Sequence, residues 1–233
     1  MKLVHSFPSL TENLITKLET ILQKEFGYPS IPNDYKEFLL KSNGGYVSPG
    51  YVEDTEITQH QKEVVFETPL KWVKNNNEPV KPCLVAFFVV WLENDMNESE
   101  VEDWDMSELV ASNEHSKLDF DILPNNMMSI AKCSHPDCAD MLCISLDEKE
   151  YGSIYYNYGL CNHPANFHGN FYQNRIEKVF EEYNIDSYEQ IDEETIKGQE
   201  VIDHIKRAYF VKVGNSFSEF LESCKVIEVE REI

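Results

Sequence analysis

Six side chains of the metal-binding and nucleophilic kind fall in two short runs. Cys133-x-His135-x2-Cys138 is one, and Cys161-x-His163 followed by His168 is the other. Thiols and imidazoles are the ligands zinc prefers, and a hairpin between the runs could bring them together. The spacing is not a standard structural zinc signature, so the reading adopted is one of unligated loop residues, with no metal and no cofactor. Cys133 beside His135 also sets a nucleophile next to a base. Neighbours in a turn need not reach hydrogen-bonding geometry, however, and no third group can be named to orient the imidazole. The chain has no Gly-rich phosphate loop, no Gly-x-Ser-x-Gly and no His-Glu-x-x-His. No catalytic residue is assigned.

Charge is the second chemical signal. The 233 residues include 42 acidic and 20 basic side chains, a net charge of −22. Nucleic acids and anionic membranes are both bound through Lys and Arg, so neither is an expected partner. A basic protein is: electrostatic steering raises association rates by ~10- to 1000-fold in favourable cases. Two segments concentrate the acid. Glu93, Asp95, Glu98, Glu100, Glu102, Asp103 and Asp105 sit in a stretch without Lys or Arg, with Trp104 embedded in it. Asp186, Glu189, Asp192, Glu193 and Glu194 follow Glu181 and Glu182, interleaved with Tyr183 and Tyr188. Each segment reads as a solvated loop or as a partner-binding patch, where charge speeds encounter and an aromatic side chain anchors.

The elements that must position these groups follow from periodicity. Ser9-Leu10-Thr11-Glu12 fits a capping box, and Leu10, Leu14, Leu18, Ile21 and Leu22 predict an amphipathic helix over 10–26 that stops at Gly27. Pro32 suits the first position of a second helix, with Tyr35, Phe38 and Leu39 on one face and Asn43-Gly44-Gly45 as its end. Residues 63–68 are a possible strand. Leu84 to Leu92 is β-branched and aromatic, apolar on both faces, and predicts a central strand. A helix is expected through Leu109 and Val110. Strands are expected over 127–131, 141–146 and 153–158, the last two joined as a hairpin by 147–152.

Later, Ile176, Val179, Phe180 and Tyr183 mark a helix, and Ile196, Val201, Ile202 and Ile205 a weaker one interrupted by Gly198. Tyr209 to Val213 suits a strand. Ser216-Phe217-Ser218-Glu219 is a second capping box, with Phe217, Phe220, Leu221 and Cys224 on one face. No internal repeat or low-complexity linker occurs, so a single domain over 1–233 is expected. Met1 to Pro8 has no uninterrupted apolar run, and Leu84 to Leu92 is far short of the ~20 residues of a membrane span. A reduced, cytoplasmic setting is expected, with Cys83, Cys143 and Cys224 as small core hydrophobes.

The order of helix, Pro-started helix ending in Asn43-Gly44-Gly45, strands, hairpin and Asn215-Ser216-Phe217-Ser218-Glu219-Phe220-Leu221 resembles the SUKH superfamily. Leu123 to Ala131, Asp140 to Leu146 and Tyr151 to Tyr156 are similar to its central strands. Two departures stand out. The family's central turn often carries glycines, whereas here it reads Cys133-Ser134-His135-Pro136-Asp137-Cys138-Ala139, and 161–206 looks like an insertion. The resemblance implies an α+β fold: a mainly antiparallel sheet with helices at both chain ends and a late helical insertion. It also implies a non-enzymatic immunity protein that sequesters a cognate toxin, commonly a nuclease, whose basic channel an acidic surface can occupy. The alternatives are a regulatory scaffold of the fungal cell-wall-regulator type and, further off, a zinc-dependent enzyme.

Overall fold

The computed structural model describes residues 3, 5–47, 60–72, 78–79, 81–92, 108–133, 140–157 and 171–230. The N-terminal elements are β1 (His5–Ser6), α1 (Glu12–Phe26), α2 (Asn33–Lys41), β2 (Gly45–Tyr46), β3 (His60–Val65), β4 (Lys71–Trp72), β5 (Glu78–Pro79) and β6 (Cys83–Phe87). There follow α3 (Leu109–Glu114), β7 (Met127–Cys133), β8 (Met141–Ser145), β9 (Ile154–Asn157), α4 (Phe171–Tyr183), α5 (Ile196–Ala208), β10 (Phe210–Gly214), α6 (Phe217–Ser223) and β11 (Lys225–Glu230).

Among the described residues, nine strands form one antiparallel sheet in the order β1-β2-β6-β7-β8-β9-β10, with β3 also on β6 and β11 on β3. The α+β class and the antiparallel sheet are as expected. β6 is central. β7 lies along one edge, while β2 and β3 share the other, pairing with Phe87 and Ala86 and with Leu84 and Cys83 respectively. β6 and β8 are buried at every position, in keeping with the unbroken apolar sequence of β6 and with Met141 to Ile144 of β8. Along β7 and β8 alternate residues face opposite sides. Met128, Ile130, Leu142 and Ile144 join the main core, and Met127, Met141 and Cys143 a smaller one with Leu123 and Phe210.

The two bracketing segments meet on the main core. α2 and α6 pack through Tyr35, Phe38 and Phe217, whose rings lie 5.0–6.0 Å apart, and the rings of Phe38 and Phe217 rest on Phe87 of β6 at 4.9 and 5.5 Å. Phe220 continues the cluster onto Phe66. Of these rings Phe66, Phe87, Phe217 and Phe220 are fully buried, and each contributes on the order of 1.5–3 kcal/mol, while Phe38 is partly exposed. The contact is also polar: the Asp34 carboxylate accepts the Ser218 N–H at 3.0 Å, so α2 helps cap α6. Ser216 supplies the other cap, accepting from the Glu219 N–H.

Several boundaries differ from the expectation. Thr11 caps α1, accepting from Leu14 N–H, while the Ser9 hydroxyl donates to the Lys41 carbonyl and ties the approach to α1 to the end of α2. Gly27 ends α1 at φ +71° as expected. Pro32 is the N-cap of α2 and not its first helical residue. The strand over 84–92 ends at Phe87, because the backbone beyond it is bonded by side chains and single bridges. Asn43 is fully buried. Its amide donates to the Val90 carbonyl at 2.9 Å and accepts the Val90 N–H at 2.8 Å. Gly44 (φ +68°) lies so close that a Cβ would stand 2.4 Å from the Phe88 carbonyl oxygen. Asn43-Gly44-Gly45 therefore does more than stop a helix: it splices α2 into the central strand. Asn113 of α3 repeats the device, donating to the Ser129 carbonyl and accepting the Ser129 N–H beside the β7 bulge. Neither β11 nor β1, β2, β4 and β5 was expected.

Candidate interaction surface

The second acidic segment lies on the connection between α4 and α5. α4 ends at Tyr183, and Asn184 after it takes φ +55°. A single 3-10 turn, Tyr188–Gln190, follows, and the Gln190 side chain accepts the Asp186 N–H at 2.9 Å. The Asp192 carbonyl accepts both the N–H and the hydroxyl of Thr195, and Thr195 caps α5 by accepting from Gly198 N–H at 3.0 Å. Gly198 costs helix propensity, but a Cβ there would lie 1.9 Å from the Asp192 oxygen. The glycine lets the acidic connection fold back on the first turn of α5.

This local folding leaves the carboxylates outward. Asp186, Glu189, Asp192, Glu193 and Glu194 are all exposed, and none forms an ion pair among the described residues. Asp192 accepts the Glu194 N–H at 3.2 Å and so is partly committed to the turn. Two apolar groups stand in the same stretch. Tyr188 is 52% exposed with its ring edge-on to Phe180 at 5.1 Å, and Ile196 is 82% exposed. Partial burial, with the Tyr209 hydroxyl beside it, pushes the Tyr188 hydroxyl up to about 12. Desolvation raises Tyr183 too, and the carboxylates of Glu200, Glu182 and Asp203 add to the shift. Exposed carboxylates around a half-exposed aromatic ring can receive a cationic protein surface: charge aligns the partner and apolar area holds it.

The first acidic segment, Glu93, Asp95, Glu98, Glu100, Glu102, Asp103, Trp104 and Asp105, lies outside the described residues. Its flanks are held together: Glu108 bridges Val89, and its carboxylate accepts the N–H groups of Trp91 and Ala111 while capping α3. Of the possible zinc ligands, His135, Cys138, Cys161, His163 and His168 also lie outside them. Cys133 is not a loop residue. It is the last residue of β7, fully buried, and burial pushes its thiol well above the ordinary range. Burial of this kind is that of a small core hydrophobe. Among the described residues no three His, Cys, Asp or Glu side chains form a metal-holding group.

The sequence reading missed Asn43 and Asn113 as core latches. The available signal was an amide at the end of an apolar helix face, which is also the signature of a simple helix stop. It also missed the cationic face of the same helical pair. Arg207 of α5 pairs with Asp203 at 2.8 Å and with Asp147 at 3.4 Å, and also donates to the Asn125 carbonyl. Lys206 pairs with Asp121, which completes the anchoring of α5 to the sheet's loops.

The chain matches the SMI1 / KNR4 family (SUKH-1) over residues 10–223, and it belongs to that family. The matched span takes in every helix from α1 to α6, including α2 and α6, whose contact closes the core. The family is one of immunity and regulator types, generally non-enzymatic and acting through protein–protein contact. No curated protein and no solved structure matches the chain. Among the described residues no helix is long and apolar enough to cross a membrane.

Proposed function

We propose that this is an immunity protein that binds a cognate toxin, a basic protein of nuclease type, in a stoichiometric complex and so neutralises it. Family membership supports the immunity type. The observation that carries the rest is the outward, unpaired carboxylate set Asp186, Glu189, Glu193 and Glu194 around the exposed Tyr188 and Ile196. In this reading the acidic connection enters the toxin's substrate channel, and Tyr188 anchors it. Glu93 to Asp105, with Trp104, serve the same partner on the grounds of sequence charge alone. We read 1–233 as one domain in which 161–206 is inserted between β9 and β10. That β9 and β10 are ladder neighbours supports this. The protein acts in the reduced cytoplasm, in keeping with its free Cys83, Cys133, Cys143 and Cys224.

The test is the rate of association with the toxin. The variant D186K/E189K/E193K/E194K changes the local charge by eight units, four lost and four gained. It should associate roughly tenfold or more slowly at low salt, with the difference shrinking toward 0.5 M salt as screening takes hold. An unchanged rate at low salt removes this connection from the interface.

A further inference from the structure

We propose that the cleft between α4 and α5 is a binding site for a phosphoryl group, as free phosphate or as the end of a phosphomonoester. The cleft has a volume of about 260 Å³ and is lined by Arg175, Lys178, Val179, His204, Arg207 and Ala208. On each helix the three residues are spaced i, i+3, i+4, so two matched faces oppose one another. In a protein of net charge −22, four of the six lining residues are basic. The acidic residues of the two helices, Glu177, Glu181, Glu182, Glu200 and Asp203, are not among those lining it, and five more fall on the connection 184–194 without one Lys or Arg.

The cations differ in what they are free to do. Arg207 is committed to Asp203, Asp147 and the Asn125 carbonyl, and forms a fixed wall. Arg175 and Lys178 form no ion pair among the described residues. The guanidinium of Arg175 lies over the Phe171 ring, 5.6 Å from its centroid. None of its N–H groups makes a hydrogen bond among the described residues, so its donors are available to a ligand. Burial pulls Arg175 below its ordinary value, the mark of a cation short of solvent and of counter-charge, although Arg stays protonated at any physiological pH. His204 bonds the Tyr183 hydroxyl through Nδ1 at 3.1 Å, which leaves Nε2 uncommitted.

The donor set selects the ligand. A planar fork, a mobile ammonium and an imidazole converge from two helices, which suits a compact ion with three or more oxygens. A carboxylate offers two oxygens and a single charge with which to overcome the repulsion of the whole molecule. The site is separate from the acidic connection, and stands or falls without the immunity reading.

The test is a titration of the full chain with sodium phosphate, with chloride and acetate at matched ionic strength, followed by amide chemical shifts. Saturable shifts confined to the neighbourhoods of 175–179 and 204–208 are expected with phosphate and not with acetate. R175Q/K178Q should weaken phosphate binding roughly tenfold or more with the helical spectrum intact, and K178Q alone by less. K197Q, on the exposed first turn of α5, should bind as the parent does. O-phosphoserine distinguishes the sources: tighter binding than phosphate assigns the site to esters, weaker binding to the free ion. Shifts that do not saturate, equal binding of acetate, or unchanged affinity in R175Q/K178Q each overturn the proposal.

Discussion

Replacing Asn43 with Ala should be among the costliest single changes in this protein. The Asn43 side chain is fully buried, and its amide makes a reciprocal pair with Val90, donating at 2.9 Å and accepting at 2.8 Å. Val90 is itself fully buried and has no other hydrogen-bond partner among the described residues. Truncation to Ala therefore strands a backbone N–H and a backbone C=O in the core. Each such group costs about 1–3 kcal/mol, and loss of the amide's own desolvation offsets part of that, which leaves a net of about 3 kcal/mol. At about 2–4 °C per kcal/mol for a chain of this size, Tm falls by roughly 6–12 °C. Urea unfolding followed by circular dichroism gives the free energy, with Asn33→Ala on the exposed start of α2 as a control that moves by less than about 0.5 kcal/mol. A loss below about 1 kcal/mol for Asn43→Ala, with the denaturant slope unchanged, would refute the idea that this amide completes the central strand.

Two further changes probe the same junction. Gly27 and Gly44 have nearly the same φ, +71° and +68°, but a Cβ at Gly27 meets nothing within 4 Å and one at Gly44 meets the Phe88 carbonyl oxygen at 2.4 Å. Gly27→Ala should cost about 1 kcal/mol, and Gly44→Ala about 2 kcal/mol more, by the same unfolding measurement; equal costs would mean that the close approach is unimportant. Tyr35→Phe should be neutral or slightly stabilising, because the Tyr35 hydroxyl is buried without a hydrogen-bond partner among the described residues and the ring contacts with Phe38 and Phe217 survive the change. A loss above about 1.5 kcal/mol would show that the hydroxyl is bonded.

Much of the fold was legible because apolar spacing reports burial. The faces of α1, α2 and α6 and the unbroken run in β6 all sit where their periodicity puts them. Gly27 and Ser216 carry the caps their types suggest. What escaped depends on partners distant in sequence. Lys225 to Glu230 forms a strand because β3 lies beside it, and its own residues, half of them charged, give a weak signal. The end of β6 was drawn too long, since nothing in Val89-Val90 announces that Asn43 replaces a neighbouring strand. Cys133 looked like a loop residue because its neighbours to Ala139 are turn formers, yet it closes β7. The acidic connection was visible as composition. Its exposure and its dependence on Gly198 were not, because both arise from how Asp192 folds back on α5. The cationic cleft was hidden by the net charge, which reports a sum and not an arrangement.

The central claim is tested most directly by co-expression with the protein encoded by the neighbouring upstream gene. The account predicts that this neighbour arrests growth alone, is harmless together with this chain, and elutes with it as a stoichiometric complex. A neighbour that is harmless alone and forms no complex would contradict the immunity reading and favour a regulatory scaffold.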